Sequence, residues 1–459
     1  MNINLHHKSK KVLLINPAKK DSFQVTRIHM GLTLLGGMLI DANHDVRILD
    51  YAFLNGKFTK IPAPVPELKD VISDFKPDVI GISVFSYLYN EVGQMLSEIS
   101  GLTDAVVMLG GPHFAVFPDD FIQNPAVDYI FQGEAELLLT KTVETAEKNN
   151  PPVIIQCPRP EPGDIPRICI DIAYGASFLT DYQIQLSRGC PFSCSFCNIH
   201  MVGGRKVRKR LIEDCVAEIV EAKNLHPSIG NISITDDCPT ADKKRFKEFL
   251  KQFIKAKTGC TLSVDNMRAD LIDEELLDLF VKARGQNVCL GTESGCPDVF
   301  KRVNKGLEIQ DVIDTAGKVR EHGLILGACF VIGLPGDSSA RHEDSIALAK
   351  ELSPDYLFWN MCVPWPGTEI GNWYKDNGHI ADMRNFSTLI DPYVNFSDPV
   401  CWTDSFTKEE RIRAWLKANL ETHLWFNAEK CMGKLQNICK KYSLEASLAQ
   451  FLRRLYPEK

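Results

Sequence analysis

The chain has 459 residues, 44% hydrophobic and 24% charged, with a net charge of −7 from 52 basic and 59 acidic side chains. That length suggests roughly two to four domains, the composition excludes a disordered chain, and the balanced charge gives no electrostatic footprint for nucleic acid. The longest apolar runs, at 32–40 and 329–334, fall far short of the ~20 residues of a membrane span, and the polar, basic start MNINLHHKSKK predicts no secretory signal.

In chain order, residues 11–17 (KVLLINP), 46–51 (VRILDY), 77–84 (PDVIGISV), 105–110 (AVVMLG) and 129–132 (YIFQ) read as buried parallel strands, with amphipathic stretches at 31–43 and 91–102 between them. Strand and helix alternating at this spacing predict an α/β fold with a doubly wound parallel sheet over residues 1–150. Ligands of such sheets sit beyond the carboxyl ends of the strands. Here those ends carry Asn16–Pro17, Asp50–Tyr51, Ser86–Tyr87–Leu88 and Gly110–Gly111.

Prolines 151, 152, 158, 160, 162 and 166 crowd the segment 151–180, which predicts an interdomain linker. A second series follows, with strands expected at 183–187, 231–235, 261–264, 287–291, 326–332 and 355–361, and helices at 210–222, 243–257, 273–283 and 342–352. Such a series predicts a partial (β/α)6 barrel over residues 181–374, with its chemistry at the C-terminal strand ends. Residues 375–459 lose the alternation, and the pattern at 409–440 predicts a small helical C-terminal domain.

All 15 cysteines lie from Cys157 onward. An odd number without an export signal argues against a disulfide framework. Cys190, Cys194 and Cys197 form a C-x3-C-x2-C loop (SRGCPFSCSFC) just after the first strand of the second series. Three thiolates on one tight loop can hold three irons of a 4Fe–4S cube and leave the fourth open. Zinc is the alternative, but zinc sites favour paired C-x2-C knuckles or added histidines, and only His200 is nearby.

With Phe196 as the aromatic residue before the last cysteine, the motif resembles the C-x3-C-x-aromatic-C signature of the radical SAM superfamily. The resemblance implies that the open iron binds S-adenosylmethionine (SAM), and that electron donation cleaves it to a 5′-deoxyadenosyl radical. It also implies SAM contacts from Phe196 and from strand ends: Asp236 and Asp237, Asn266 and Arg268, and Glu293 in residues 291–295 (GTESG), which resemble the family's G-x-E-S-G turn. Helix capping before Pro239 is the other role open to Asp236 or Asp237. In the basic run 204–210 (GRKVRKR), Arg205 or Arg208 either pairs with an anion such as the SAM carboxylate or lies in a solvated turn.

In the first domain, Ser86-x-Leu88 followed by Gly110–Gly111 and His113 (LGGPH), together with residues 31–49, resembles the cobalamin-binding domain found upstream of many radical SAM domains. The resemblance implies that Ser86, Leu88, Gly110, Gly111 and His113 line a cobalamin pocket. The family's D-x-H-x-x-G motif is absent, which implies cobalamin without a protein histidine on cobalt. Related methylthiotransferases carry a further three-cysteine cluster near the N-terminus, where this chain has no cysteine.

Together these resemblances imply a cobalamin-dependent radical SAM methyltransferase with a 4Fe–4S cluster. It would methylate an unactivated carbon, or phosphorus, of a small-molecule or natural-product substrate through methylcobalamin and the 5′-deoxyadenosyl radical. They also imply a flavodoxin- or ferredoxin-like reductant and a cytoplasmic location. The alternative is a non-methylating radical SAM enzyme (ring formation, oxidation or carbon–carbon coupling) with cobalamin as an electron relay or absent. A cofactor-binding redox sensor without turnover is a third reading. Cys289, Cys296, Cys329, Cys362 and Cys401 have no ligand spacing and read as small buried hydrophobes. Trp359, Met361 and Trp365 read by default as core.

Overall fold

The computed structural model describes residues 9–19, 27–55, 65–264, 267–384, 388–390, 395–422 and 428–455. The chain divides into two compact units, Met1–Ile184 with Arg208–Asn231, and Gln185–Val207 with Ile232–Lys459. Among the described residues no helix is long and apolar enough to cross a membrane.

In the first unit, β1 (Lys11–Asn16), β2 (Asp45–Asp50), β3 (Val79–Ser83), β4 (Val106–Gly110), β5 (Tyr129–Gln132) and β6 (Val153–Gln156) form one sheet in the order β2-β1-β3-β4-β5-β6. Every neighbouring pair is parallel. Val12 to Ile15 are buried, as expected for a strand covered on both faces, which therefore reads as a continuous apolar run. Helices α1 (Met30–Asp41), α2 (Leu68–Phe75) and α3 (Tyr89–Ser100) connect the strands. Strand order reverses between β1 and β3, which opens a crevice beyond their carboxyl ends.

The proline-rich segment does more than link. It supplies β6, paired with β5 from Tyr129–Val153 to Gln132–Gln156. Farther along, it runs beside β2, where Ile48 N–H donates to the Ile172 carbonyl at 2.8 Å and Tyr174 N–H to the Ile48 carbonyl at 3.0 Å. Prolines are tolerated around an edge strand because one side of it needs no ladder donor. One segment thereby supplies one edge strand of the sheet and runs along the opposite edge.

The first strand and helix of the second series, β7 (Asp181–Ile184) and α4 (Ile212–Leu225), also belong to this unit. Buried Tyr182 donates to Glu218 Oε1 at 3.0 Å, and Arg210 pairs with Glu218 Oε2 at 2.5 Å. Both oxygens of that buried carboxylate are thus satisfied, as an ion pair removed from water requires.

The other five expected strands are β8 (Asn231–Ile234, of the second unit except for its first residue), β9 (Thr261–Val264), β10 (Asn287–Glu293), β11 (Ile325–Ile332) and β12 (Tyr356–Met361). β8 lies next to β9, and β10-β11-β12 form a parallel sheet. Parallel bridges at Leu262–Gly285 and Met267–Leu290 join the two groups. Helices α5 (Lys243–Ala256), α6 (Glu274–Lys282), α7 (Ile309–Glu321) and α8 (Ser339–Leu352) return the chain between strands. Asp242, Asp273 and Ser338 cap α5, α6 and α8 by accepting the N–H of Arg245, Leu276 and Arg341.

Along β10 and β12 burial alternates. Val288, Leu290, Leu357 and Trp359 are fully buried, while Asn287, Cys289, Tyr356 and Phe358 are half-buried on the opposite face. That opposite face is the inner face of a partial barrel, which no closed ring of strands fills with side chains. Trp359 stacks on Phe330 at 4.5 Å, and with Met361 it belongs to the core.

Residues 375–459, expected to be helical, first form two short antiparallel pairs: His379–Ile380 with Cys401–Trp402, and Thr388–Ile390 with Asn395–Ser397. Helices α9 (Lys408–Thr422), α10 (Ala428–Lys441) and α11 (Glu445–Leu455) follow. α9 is tied to the barrel by Lys350–Glu421 at 2.7 Å and by Trp359 Nε1 donating to Thr422 at 3.1 Å.

His342 on α8 is 2% exposed and edge-on to Trp359. Burial lowers its pKa to about 4, from an ordinary 6.5. The folded state therefore holds it neutral, so its contribution to stability is complete above pH 6.5 and is lost as pH falls toward 4, by about 3 kcal/mol in all. Urea denaturation of the wild type is expected to lose stability between pH 7 and 4.5 more steeply than that of His342→Gln. Equal slopes would refute the assignment.

Candidate functional site

The three-cysteine loop is fixed from outside at nearly every turn. Gly189 has φ +93°, and a side chain there would run into the Lys206 carbonyl; only glycine accepts both conditions cheaply. Its N–H donates to Asp237 Oδ2 at 2.7 Å, and Cys190 N–H donates to the Gly204 carbonyl at 3.0 Å. Arg205 donates to the Phe192 carbonyl and to Ser193 Oγ, each at 2.9 Å. Ser195 N–H donates to the Val303 carbonyl at 2.8 Å, and Ile370 N–H to the Ser195 carbonyl at 3.1 Å.

Just before the loop, Asp236 is 1% exposed and accepts from Leu186 N–H at 2.6 Å and Ser187 Oγ at 2.5 Å. Burial raises its pKa to about 7, opposed by those hydrogen bonds. Both of its oxygens thus have partners within the protein. Phe196 packs against the buried group formed by Cys296, Val299, Val303, Leu334 and Ile370. The loop is therefore anchored by the residues that follow β8, β10 and β12.

Cys190, Cys194 and Cys197 are free and half-buried. A hydrogen bond with Cys238 lowers the Cys190 thiol to about 7, whereas burial pushes Cys197 up to about 11. Cys238, 5% exposed in the loop after β8, was not singled out by the sequence analysis. Its position in Asp-Asp-Cys-Pro at a strand end was the available signal. His200 Nδ1 lies 3.1 Å from the Cys197 carbonyl, which turns that nitrogen toward the backbone. Among the described residues no three His, Cys, Asp or Glu side chains are grouped to hold a single metal ion; a cube takes its thiolates on separate irons, and three thiols on one anchored loop can serve that purpose with one iron left open.

Two charged groups flank the loop. Arg268 stacks on the Phe192 ring at 3.7 Å, holds Asp270 through Nε and Nη2 at 3.1 and 3.0 Å, and donates to the Lys305 carbonyl at 2.7 Å. It is 7% exposed, and its Nη1 has no partner among the described residues. Glu293, in left-handed backbone at φ +61°, accepts from Lys305 Nζ at 2.8 Å, and the same Nζ donates to the Gly291 carbonyl at 2.5 Å. Both side chains are buried. Burial raises the Cys194 thiol, opposed by the charges of Lys305 and Arg268 and reinforced by Glu293. Asn266 lies outside the described residues.

Residues 184–349 match the family model described as the radical SAM superfamily, and residues 22–153 match that of the B12 binding domain. The chain therefore carries a B12 binding domain followed by a radical SAM domain. It is 25% identical to an uncharacterized methyltransferase of Pyrococcus horikoshii over 90% of this chain and 92% of that one. It is 26% identical to the anaerobic magnesium-protoporphyrin IX monomethyl ester cyclase of Rubrivivax gelatinosus over 75% of this chain, spanning 65% of the cyclase. Its fold is similar to that of the radical SAM methyltransferase TsrM from Kitasatospora setae, solved with tryptophan substrate and a SAM analog (TM-score 0.67, 18% identity, 84% of this chain and 80% of that one).

The B12 binding domain offers two features at its strand ends. Gly111 has φ +112°, and a Cβ there would meet the Val84 carbonyl oxygen at 2.8 Å and nitrogen at 2.9 Å. Across the crevice, Asn16 Nδ2 donates to Asp50 Oδ1 and His29 N–H to Asp50 Oδ2, each at 2.7 Å. His29 Nδ1 accepts from Leu32 N–H, so its Nε2 carries the proton and donates to Ser83 Oγ at 3.0 Å. Asn16 is 6% exposed, yet its Oδ1 has no partner among the described residues. Gly111 is thus demanded by the packing of its turn on Val84, while the orphaned Asn16 acceptor fits a ligand bearing amide donors, such as the peripheral amides of a corrin; these strand ends form the cradle.

The expected contacts divide. Gly110 and Gly111 are partly exposed at the crevice, whereas Leu88, Ser86 and His113 are buried. His113 lies between Ser86 Oγ and Asp120 Oδ2, each at 3.0 Å, ringed by Tyr89, Phe117 and Phe121. It orders the loop after β4. Arg208, considered for a cofactor anion, instead pairs with Glu134, Nη1 to Oε2 at 2.9 Å. Gly111→Ala is expected to cost about 1–3 kcal/mol through backbone strain and to release cobalamin on gel filtration while circular dichroism stays near wild type. Full cobalamin retention would contradict the cradle.

Proposed function

We propose that the chain is a cobalamin-dependent radical SAM methyltransferase that methylates an unactivated carbon or phosphorus atom of a small molecule. The observation that carries this reading is the pairing, on one chain, of the anchored three-thiol loop with a cobalamin-binding domain. Held by these residues, the cluster would supply an electron for SAM cleavage and cobalamin would carry the methyl group.

The chain's own residues then have defined tasks. Cys190, Cys194 and Cys197 hold the cluster. Asp236 and Asp237 hold the loop in place through Leu186, Ser187 and Gly189. Arg268 offers its unpartnered Nη1 to the SAM carboxylate, where a charge-assisted bond is strong. Glu293, already neutralised by Lys305, offers an acceptor to the SAM amino group. Electrons come from a flavodoxin- or ferredoxin-like reductant. A second reading, ring formation without methyl transfer, is favoured by the similarity to the cyclase.

The test is anaerobic. Reconstituted protein receives SAM and reductant with or without cobalamin, and S-adenosylhomocysteine and 5′-deoxyadenosine are quantified. Cobalamin-dependent S-adenosylhomocysteine is expected. Deoxyadenosine alone, indifferent to cobalamin, would overturn methyl transfer in favour of the second reading.

A further inference from the structure

On β10 and β11 the sulfurs of Cys289 and Cys329 lie 3.5 Å apart. Both side chains are half-buried and belong to the inner face that also carries Asn287 and Tyr356. The register sets Cys289 opposite Gly327 and Cys329 opposite Gly291, so the sulfurs meet diagonally across a parallel strand pair. The Tyr356 hydroxyl accepts from Asn287 Nδ2 at 2.8 Å. A cysteine used as core filler meets hydrocarbon. Here two thiols meet each other, beside a phenol and an amide, on a face that is not sealed.

We propose that Cys289 and Cys329 are a redox-active dithiol that closes reversibly to a disulfide across the inner face of the barrel. Closure takes the sulfurs from 3.5 Å to ~2.05 Å and also draws the diagonal backbone positions of the two strands closer together. A small organic disulfide is a sufficient oxidant. One protein thiolate attacks it and releases a thiolate, and the second protein thiolate then attacks the mixed disulfide and releases the other. Two protein thiols thus lose two electrons and two protons, and the reagent leaves as two thiols. The two-residue diagonal offset leaves the closed bond strained, and strained disulfides are the readily reduced ones. That argues for a reversible couple rather than a structural cross-link. Closure also acts on the strand that ends in Glu293. The couple needs neither cluster nor cobalamin, so it stands or falls independently of methyl transfer.

Full-length protein purified without oxygen is equilibrated in mixtures of 2-hydroxyethyl disulfide and 2-mercaptoethanol, quenched in acid, alkylated and mapped by mass spectrometry. The expected result is a linked peptide pair containing Cys289 and Cys329 that grows with the oxidised fraction and disappears with dithiothreitol. In Cys289→Ser, Cys329 is expected only alkylated or as a mixed disulfide with the reagent. The proposal is overturned if both wild-type cysteines stay fully alkylatable in mixtures that oxidise the half-buried Cys157. It is also overturned if either is recovered only as a mixed disulfide or linked to a cluster cysteine. The wild-type map decides this even if the variant does not fold.

Discussion

Cys190→Ala, Cys194→Ala and Cys197→Ala are each expected to give folded protein that neither retains iron and sulfide after reconstitution nor releases 5′-deoxyadenosine above background. The loop's conformation does not depend on the thiols. It is held by Gly189 N–H on Asp237, Arg205 on the Phe192 carbonyl and Ser195 N–H on the Val303 carbonyl. Removing one half-buried sulfur therefore removes a ligand and leaves the scaffold, and a cube held by three protein thiolates has no spare one. The checks are iron and sulfide content, visible absorbance and product release, with circular dichroism as the fold control. Undiminished deoxyadenosine from any of the three would overturn the cluster assignment.

Lys305→Met is expected to destabilise the second unit by about 3–5 kcal/mol, because it leaves Glu293 charged, buried and unpaired. It also removes the donor to the Gly291 carbonyl. The double variant Lys305→Met/Glu293→Leu should recover most of that stability, since two apolar groups replace the pair, yet SAM cleavage should stay lost because the acceptor is gone. Urea denaturation of wild type, both single variants and the double variant measures the coupling directly. A Lys305→Met protein within about 0.5 kcal/mol of wild type would mean that water, not Lys305, neutralises Glu293.

Much of this was legible in the sequence because it is encoded locally. A strand buried on both faces must be an apolar run, so KVLLIN, VIGIS and VVMLG announced the sheet before its order was known. A cluster loop must present its thiols within one tight turn, so the spacing of Cys190, Cys194 and Cys197 with Phe196 was enough to carry the resemblance to the radical SAM signature. β6 was hidden because its VIIQ sits among prolines, and only the open edge of β5 makes that segment a strand.

The rest is decided by which strand ends meet. Asp236 lies far along the chain from Leu186 and Ser187, Arg268 from Phe192, and Cys289 from Cys329, and nothing in the local pattern around any of them marks its partner. Period and spacing determined the elements and the cluster loop, because backbone pairing and ligand geometry act over a few residues. The parallel register of β10, β11 and β12 and the return of each strand end to the same loop decided the partners. Those contacts arise only once helices of differing length have brought distant strands side by side.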